Sequence, residues 1–490
     1  MTHRILILIA LLTGISVSAY LLASQLTYHV GFPLDDAWIH QTYARNLALR
    51  GEWAFVPGES SSGSTAPLWS VLLAVGYVLG IAPYPWTYFL GWVLLFGSSL
   101  LGCYAAGVLA PASKRWRLAT AVVLALEWHL VWAAVSGMET LLFAFVVTLV
   151  LVWLQSGWKH WMGLGILIGI TTWIRPEGIT LVGPAIMVLL TVNDKRWDQV
   201  LADLGLLICG IVIPFGLYML FNHAISGAWW PNTFYAKQAE SAILRQSPLW
   251  RRYLDEAVLP FIGVGSLVII GLIPLLVKSL KQKIWPLLAG VLWVIGYIFL
   301  YAWRLPVVYQ HGRYIMPVIP ILLIWGMAGI SIWMQGNLQK MTYRIFAKTW
   351  MISTGLVLLS FCVIGARSYG RDVAFIETEM VNTARWVAVN TRPGAIVASH
   401  DIGALGFYGN LGERQLLDLA GLVTPDVIPF ILDEARLAVY LDTNKADYLI
   451  SFPDWYPLLV KRATPIYQSG GKFAPSMNGE NLVVYRWLPH

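Results

Sequence analysis

What most limits the folds open to this chain is a series of apolar runs, many near the ~20 residues that carry an α-helix across a bilayer. They lie roughly at 5–23, 67–83, 86–110, 118–135, 140–155, 161–174, 178–192, 200–222, 257–277, 284–303, 313–334 and 349–366. Composition agrees: 58% of the 490 residues are hydrophobic and 12% charged, about half the charged share of a soluble domain. Mean hydropathy is +0.65. The expectation is a polytopic α-helical membrane protein with about eleven to twelve transmembrane helices. The first run follows Arg4 and lacks a small-residue cleavage site, so it reads as a retained span. Cys103, Cys209 and Cys362 all fall inside apolar runs, so neither a disulfide nor a thiolate metal site is expected.

A net charge of +7 would suggest nucleic acid for a soluble protein. Here the basic residues gather in short loops: 114–117, Lys159-His160, Lys195-Arg196, 278–283 and 340–348. The positive-inside preference places such loops in the cytoplasm, so the charge reports topology and no nucleic-acid partner is expected. Alternation then puts the segment around Asp35, the turns at 136–140 and 175–178, the loops at 223–256 and 304–312, and everything beyond about 366 outside an inner (plasma) membrane. Residues 67–110 resist. Two crossings there would put the 114–117 loop outside. One net crossing through a tilted, re-entrant or short helix, or a local exception to the charge rule, restores the pattern.

Polar and charged residues return from about 370. Short β-type runs appear at 395–399, 414–419, 446–451 and 481–487, punctuated by Gly and Pro, and 381–390 has helical spacing. The chain divides into a membrane module, 1–366, with a first external loop at 25–66, and an extracytoplasmic α/β domain, 367–490.

The stretch "PLDDAWIHQTYARNLA" (33–48) sets an aspartate pair just beyond the first span. A helix from about 36 to 49 puts Asp36, His40, Tyr43 and Leu47 on one face, with Asp35 as N-cap. Capping by Asp35 and a favourable dipole contact for Asp36 would explain both without chemistry. The following Gly/Ser-rich loop, however, can lay this helix on the membrane surface, where an ionisable group is a functional candidate. The helix N-terminus lowers a carboxyl pKa and a like neighbour raises one of the pair, leaving one group ionised and able to take a proton. Glu139 in "SGMET" is either a second such carboxylate or a helix-start glutamate. Arg175 and Glu177 in "RPEG" read as an ion pair at a helix break. Lys237 in "WWPNTFYAKQ", and His311 and Arg313 in "YQHGRYIMP", suit a phosphate leaving group, though such cations also bind headgroups non-specifically. Arg175 joins them as a candidate phosphate contact. Acceptor or sugar contacts are expected from His40, Tyr43, Arg45, Trp230, Tyr235, and from His400 and Asp401 in "SHDIGALGFYGN".

These motifs, in this order and ending with "LLDLAGLVTPDV", resemble a branch of the GT-C membrane glycosyltransferases. That branch is similar to the actinobacterial arabinofuranosyltransferases and, more distantly, to protein O-mannosyltransferases and the lipid A aminoarabinose transferase. The resemblance covers nearly the whole chain. It implies inverting transfer of a hexosyl or pentosyl group from a polyprenyl-phosphate donor to a glycan, lipid or protein hydroxyl on the outer membrane face. It places the catalytic carboxylate on Asp35, with Asp36 beside it, and a second external acid on Glu139. Two departures stand out: Glu139 replaces a frequent Asp, and "SGSTAP" (62–67) replaces a bulkier aromatic pattern. No cofactor is assigned, and a divalent metal, Mg or Mn, is left open. The chemistry of the residues agrees. Nucleotide sugars are absent outside the membrane, the chain has no Gly-rich phosphate loop, and no HExxH or Cys/His cluster suggests a metal hydrolase. The alternative is a transporter or flippase of lipid-linked sugars, which predicts midplane ionisable residues and an inverted repeat. Charges instead read as sitting at span ends, and no repeat is visible.

Overall fold

The computed structural model describes residues 3–110, 114–191, 196–335 and 341–488, so Lys195 and Lys340 of the basic loops lie outside it. Among the described residues seven helices are long and apolar enough to cross a bilayer: His3–Thr27, Pro83–Leu109, Trp197–Ser226, Gly265–Gln282, Trp285–Arg304, Gln310–Met334 and Met341–Asn390. The pair Lys114–Leu126 and Trp128–Val135, bent by 52°, is long and apolar enough together to form a broken span or a re-entrant loop. Pro67–Val78, Thr140–Gln155, Trp161–Ile174 and Pro176–Thr191 are shorter apolar helices. The apolar runs are therefore all helical, but fewer than the expected eleven to twelve are full-length spans. Rows of exposed aliphatic side chains, such as Val212, Ile213, Leu217 and Leu220, or Ile352, Leu356, Leu359 and Val363, mark lipid-facing sides.

Residues 67–110 hold one helix long and apolar enough to cross, Pro83–Leu109. Helix Pro67–Val78 is roughly 18 Å long at 1.5 Å per residue, well short of a ~30 Å hydrocarbon core. It packs beside the loop helix Asp36–Arg50, and Ser70 Oγ lies 3.1 Å from His40 Nδ1. The next helix starts at the same end, where the Tyr88 hydroxyl donates to the Gly31 carbonyl at 2.8 Å. The basic loop at 114–117 then falls at the opposite end.

The bend at Glu127 corrects the reading that charges sit only at span ends. Glu127 is buried at the break, where its carboxylate accepts from Leu130 N at 2.9 Å and meets His129 Nδ1 at 2.7 Å. A carboxylate is tolerated there because the broken helix offers an unpaired amide. Elsewhere small residues let helices touch. A Cβ on Gly210 would stand 2.5 Å from the Met162 carbonyl and 3.0 Å from the Gly165 Cα.

The last long helix does not end with its apolar run at 366. Helix Met341–Ile376 continues through a π-turn at Glu377–Val381 into Asn382–Asn390, so the two regions share one continuous helix. Beyond a small hairpin in the first loop, β1 (Ala54–Val56) with β2 (Glu59–Ser60), the strands belong to the C-terminal domain: β3 (Ile396–Ser399), β4 (Gln415–Asp418), β5 (Tyr448–Ser451), β6 (Ala463–Gln468) and β7 (Val483–Trp487). The sheet order is β4-β3-β5-β7-β6. β3 runs parallel to β4 and β5, and β7 antiparallel to β5 and β6. Strand alternation gives the sheet two apolar faces. Ala398, Leu449 and Tyr485 pack with Leu437 and Leu441 of helix Glu434–Thr443. Val397, Ile450 and Val484 join the core that continues into the membrane module.

Polar contacts complete the docking, and they reassign three residues. Asp35 occupies the N-cap position of the loop helix but makes no capping bond there. Its two oxygens accept instead from Gly403 N at 2.7 Å and Ala404 N at 2.8 Å, at the start of helix Gly403–Tyr408. Gly403 is required because a Cβ would collide with the Asp35 carbonyl. At the other end of that helix Arg45 donates to the carbonyls of Phe407 (2.7 Å) and Gly406 (3.2 Å). Acid at the N-terminus and base at the C-terminus suit the helix dipole. Arg45, expected as a sugar contact, thus docks the domain in this structure. Tyr43 is fully buried, and its hydroxyl meets Ser61 Oγ at 2.7 Å and accepts from Gly63 N at 2.9 Å, which fixes the loop.

Two outcomes follow. Gly210→Leu should cost about 1–3 kcal/mol of stability through overpacking, measured by unfolding in detergent, whereas Gly216→Leu, which meets nothing within 4 Å, should be silent. The second concerns pH. Burial, then the charge of Asp401, push the Asp35 carboxyl up to about 8, against the pull of the Gly403 and Ala404 amides. A carboxyl with a higher pKa folded than unfolded favours the docked state at low pH and loses that contribution as pH rises through its folded value. Hydrogen exchange at 403–408, corrected for intrinsic rates, should therefore accelerate from about pH 4 upward and level off above about pH 8. Asp35→Asn should flatten that rise; an unchanged profile would show that Asp35 does not control docking.

Candidate active site

The loop helix that sends Asp35 to the domain sends Asp36 the other way. Asp36 Oδ2 accepts from Arg313 Nη2 at 2.6 Å and from Lys237 Nζ at 3.3 Å. Lys237 comes from the lateral helix Asn232–Glu240, which starts after Pro231, and Arg313 from the irregular turn that opens the span to Met334. His311 and Gly312 have positive φ (58° and 65°), and the resulting kink points Arg313 inward, where it is only 4% exposed. Tyr314 completes the cluster. Its hydroxyl lies 3.1 Å from Arg313 Nη2 and 3.3 Å from Lys237 Nζ. The guanidinium of Arg175 stands 4.9 Å from its ring centre. Arg313 Nε and Nη1 have no partner among the described residues, so this buried guanidinium still has donors to give.

A second ionic group lies beside the first. Arg175 Nη1 donates to Glu139 Oε1 at 3.2 Å and Nη2 to the Tyr301 hydroxyl at 2.9 Å. His40 Nε2 is 3.4 Å from Glu139 Oε2, and Ser70 and Ser64 hold its other nitrogen. Both carboxylates stay ionised despite burial. For Asp36, burial opposes ionisation but Lys237 and Arg313 hold the carboxyl well below the usual carboxylate range. For Glu139, burial is overcome by His40 and Arg175, which bring it down to about 2.

Asp36 stands where three cavities meet. The first is lined by His40, Glu139, Arg175, Lys237, Arg304 and Arg313. The second, of about 560 Å³, runs past Lys237 and Arg313 to Glu240, His400, Asp401 and Trp455. The third, of about 370 Å³, is lined by Asp35, Trp132, His311, Asp372, Asp401 and Trp455. His311 is committed to Asp372 (2.8 Å), which also accepts from the Trp132 indole. His400 lies 2.7 Å from the Tyr456 hydroxyl and 3.5 Å from Glu240. Burial, opposed by His400 and aided by the charges of Asp36 and Glu240, raises the Asp401 carboxyl to about 6. The structure thus gathers Asp36, His40, Glu139, Arg175, Lys237, His311, Arg313, His400 and Asp401 around one junction. Trp230 and Tyr235 do not line its cavities: Trp230 stacks on Phe234 at 5.3 Å, and Tyr235, edge-on to the same ring at 5.4 Å, is 39% exposed. Phe234 and Arg304 line the first cavity in their place. Sequence reasoning missed Tyr314, although it adjoins Arg313, and Glu240, which sits three residues after Lys237 on one helix face. Among the described residues no group of three or more His, Cys, Asp or Glu side chains is placed to hold a metal ion. Asp36 and Glu139 direct their charge to cationic side chains.

The described domain coincides with a family model, a domain of unknown function (DUF8728), which matches residues 371–485. No curated protein matches the chain by sequence. In three dimensions it is similar to ArnT from Cupriavidus metallidurans bound to undecaprenyl phosphate, at 16% identity and a TM-score of 0.58, with 97% of each chain covered. It is also similar to the Archaeoglobus fulgidus oligosaccharyltransferase tethered with an acceptor peptide, at 11% identity and a TM-score of 0.58, covering 98% of this chain and 73% of that one. The archaeal oligosaccharyltransferase AglB in complex with an inhibitory peptide and a dolichol-phosphate superposes with a TM-score of 0.55 at 11% identity, over 95% and 72% of the two chains. From the first span to the C-terminal sheet, the chain has the fold of the GT-C membrane glycosyltransferases.

Proposed function

We propose that the protein is an inverting glycosyltransferase that moves a sugar from a polyprenyl-phosphate donor to an acceptor hydroxyl at the Asp36 junction, on the outer face of the membrane. One observation carries this reading: a single ionised carboxylate joins three cavities while two cations, one with unspent donors, hold one of its oxygens. Solved neighbours of the fold with prenyl-type phosphates bound support the donor class.

In this reading Lys237 and Arg313 hold the donor phosphate. The acceptor oxygen attacks the anomeric carbon on the face opposite the phosphate, and the acceptor hydroxyl proton passes to Asp36. The bond from the anomeric carbon to the phosphate oxygen breaks, and its electron pair leaves with the prenyl phosphate as negative charge. The two cations stabilise that charge as it develops. In the resting cluster they also make Asp36 a weak base. A bound phosphate shares them, which restores basicity to Asp36 when a proton must be taken. Glu139, held by Arg175 and His40, faces the first cavity and orients sugar hydroxyls. The base is thereby assigned to Asp36, one residue later than the resemblance implies, because both oxygens of Asp35 serve the domain contact. The acceptor is a glycan, lipid or protein hydroxyl. The C-terminal domain, which brings His400 and Asp401 to the junction, contacts that acceptor from outside the membrane.

Asp36→Asn should lower turnover by about 100-fold or more, the scale of a lost general base, while prenyl-phosphate binding persists or tightens as Lys237 and Arg313 are released. Asp35→Asn should be milder; the reverse ranking would return the base to Asp35. Lys237→Gln and Arg313→Gln should each weaken undecaprenyl-phosphate binding by about 1.5–3 kcal/mol, the value of a charge-assisted hydrogen bond. Unchanged affinity in either would show that the cation only anchors its helix.

A further inference from the structure

A second feature of the polar end takes no part in the reaction proposed above. The first helix, His3–Thr27, and the last span, Met341–Asn390, pack closely where Gly365 meets Tyr20 and Gly370 meets Ala23. Beside that contact they leave a groove of about 720 Å³ on the lipid-facing surface. Ala19, Ala23, Leu26, Val363 and Ala366 make its walls apolar. Its polar end carries Arg367 and Arg371, four residues apart and so on one helix face. Both are exposed, and neither has an ion-pair or hydrogen-bond partner among the described residues. The domain closes this end with Phe473 and Met477, and the Lys472 ammonium sits 5.4 Å from the Phe473 ring centre. Past Ala19 a further apolar groove, lined by Leu11, Gly14, Ile15, Leu22 and Trp92, continues along the first helix. From Ala10 to Thr27 the two grooves span roughly 25 Å at 1.5 Å per residue, close to one hydrocarbon thickness.

We propose that this groove binds an anionic phospholipid of the surrounding leaflet, with Arg367, Arg371 and Lys472 around its phosphate and an acyl chain lying between the first and last helices. The complementarity is of charge and of shape together. Basic residues on the outer side run against the positive-inside preference. A lone arginine there could snorkel, but two unpaired guanidiniums on one helix face, at the mouth of an acyl-sized groove, match a phosphate. Met477 lines both this groove and the His311 side of the Asp36 junction, so a lipid seated here braces the domain segment that walls the junction. The site is separate from the Arg313 cluster and stands whatever that cluster binds.

Native mass spectrometry of the full-length protein, supplied with phosphatidylglycerol or phosphatidylcholine, tests it. The protein should retain phosphatidylglycerol and not phosphatidylcholine. Arg367→Gln with Arg371→Gln should weaken retention by about tenfold or more. Ala19→Phe, which fills the groove without changing a charge, should do the same. Arg313→Gln should leave retention intact. Equal retention in the double variant, equal retention of phosphatidylcholine, or loss in the Arg313 variant would overturn the site. Displacement of phosphatidylglycerol by added undecaprenyl phosphate would overturn the occupant.

Discussion

Asp36 accepts from Arg313 at 2.6 Å and from Lys237 at 3.3 Å, and the polar end of the molecule is organised around this contact. It ties together three distant parts of the chain: the loop after the first span, the lateral helix after the span Trp197–Ser226, and the mouth of the span to Met334. A guanidinium as buried as Arg313 is tolerated only with a counter-charge and hydrogen bonds. Asp36 and the Tyr314 hydroxyl supply these, and Arg175 with Glu139 repeats the arrangement next door. The cations in turn keep Asp36 ionised. Each group makes the burial of the others affordable, and the pocket they line is polar inside an otherwise apolar protein.

Two adjacent aspartates carry two jobs because successive side chains at a helix start point in different directions. Asp35 faces the C-terminal domain and holds the amides of Gly403 and Ala404, while Asp36 faces the cations. Domain docking and site assembly therefore share one rigid turn. A shift of helix Gly403–Tyr408 would move Asp35 and, through one peptide unit, Asp36. The cavities that meet at Asp36 also include Asp401 from that same domain. The domain is a wall of the junction, and its position sets the junction's shape.

Much of this was legible in the sequence where a pattern is local. Apolar runs gave the helices, short β-type runs between Gly and Pro gave β3, β4, β5 and β7, and "VNTARWVAVN" gave helix Asn382–Asn390. What was missed depends on partners far away in the chain. β6, "ATPIYQ", hides because its Pro465 and exposed side chains are those of an edge strand, defined only by pairing with β7. Glu127 lay inside an apolar run and became intelligible only at a helix break with His129 beside it. Hydropathy ends at 366 and the helix does not, so its continuation to Ile376 was not legible in the apolar pattern. In the site, charge and motif picked out Asp36, Glu139, Lys237 and Arg313, yet no spacing rule could tell that Asp35 and Arg45 grip one short helix 360-odd residues later.

The central claim is that the cluster at Asp36 is where a lipid phosphate binds and leaves. A cryo-EM map of the protein with undecaprenyl phosphate addresses it directly. The account predicts phosphate density within hydrogen-bond distance of both Lys237 and Arg313, beside Asp36. Phosphate density elsewhere, with the Asp36–Arg313 contact intact and nothing beside it, would contradict it.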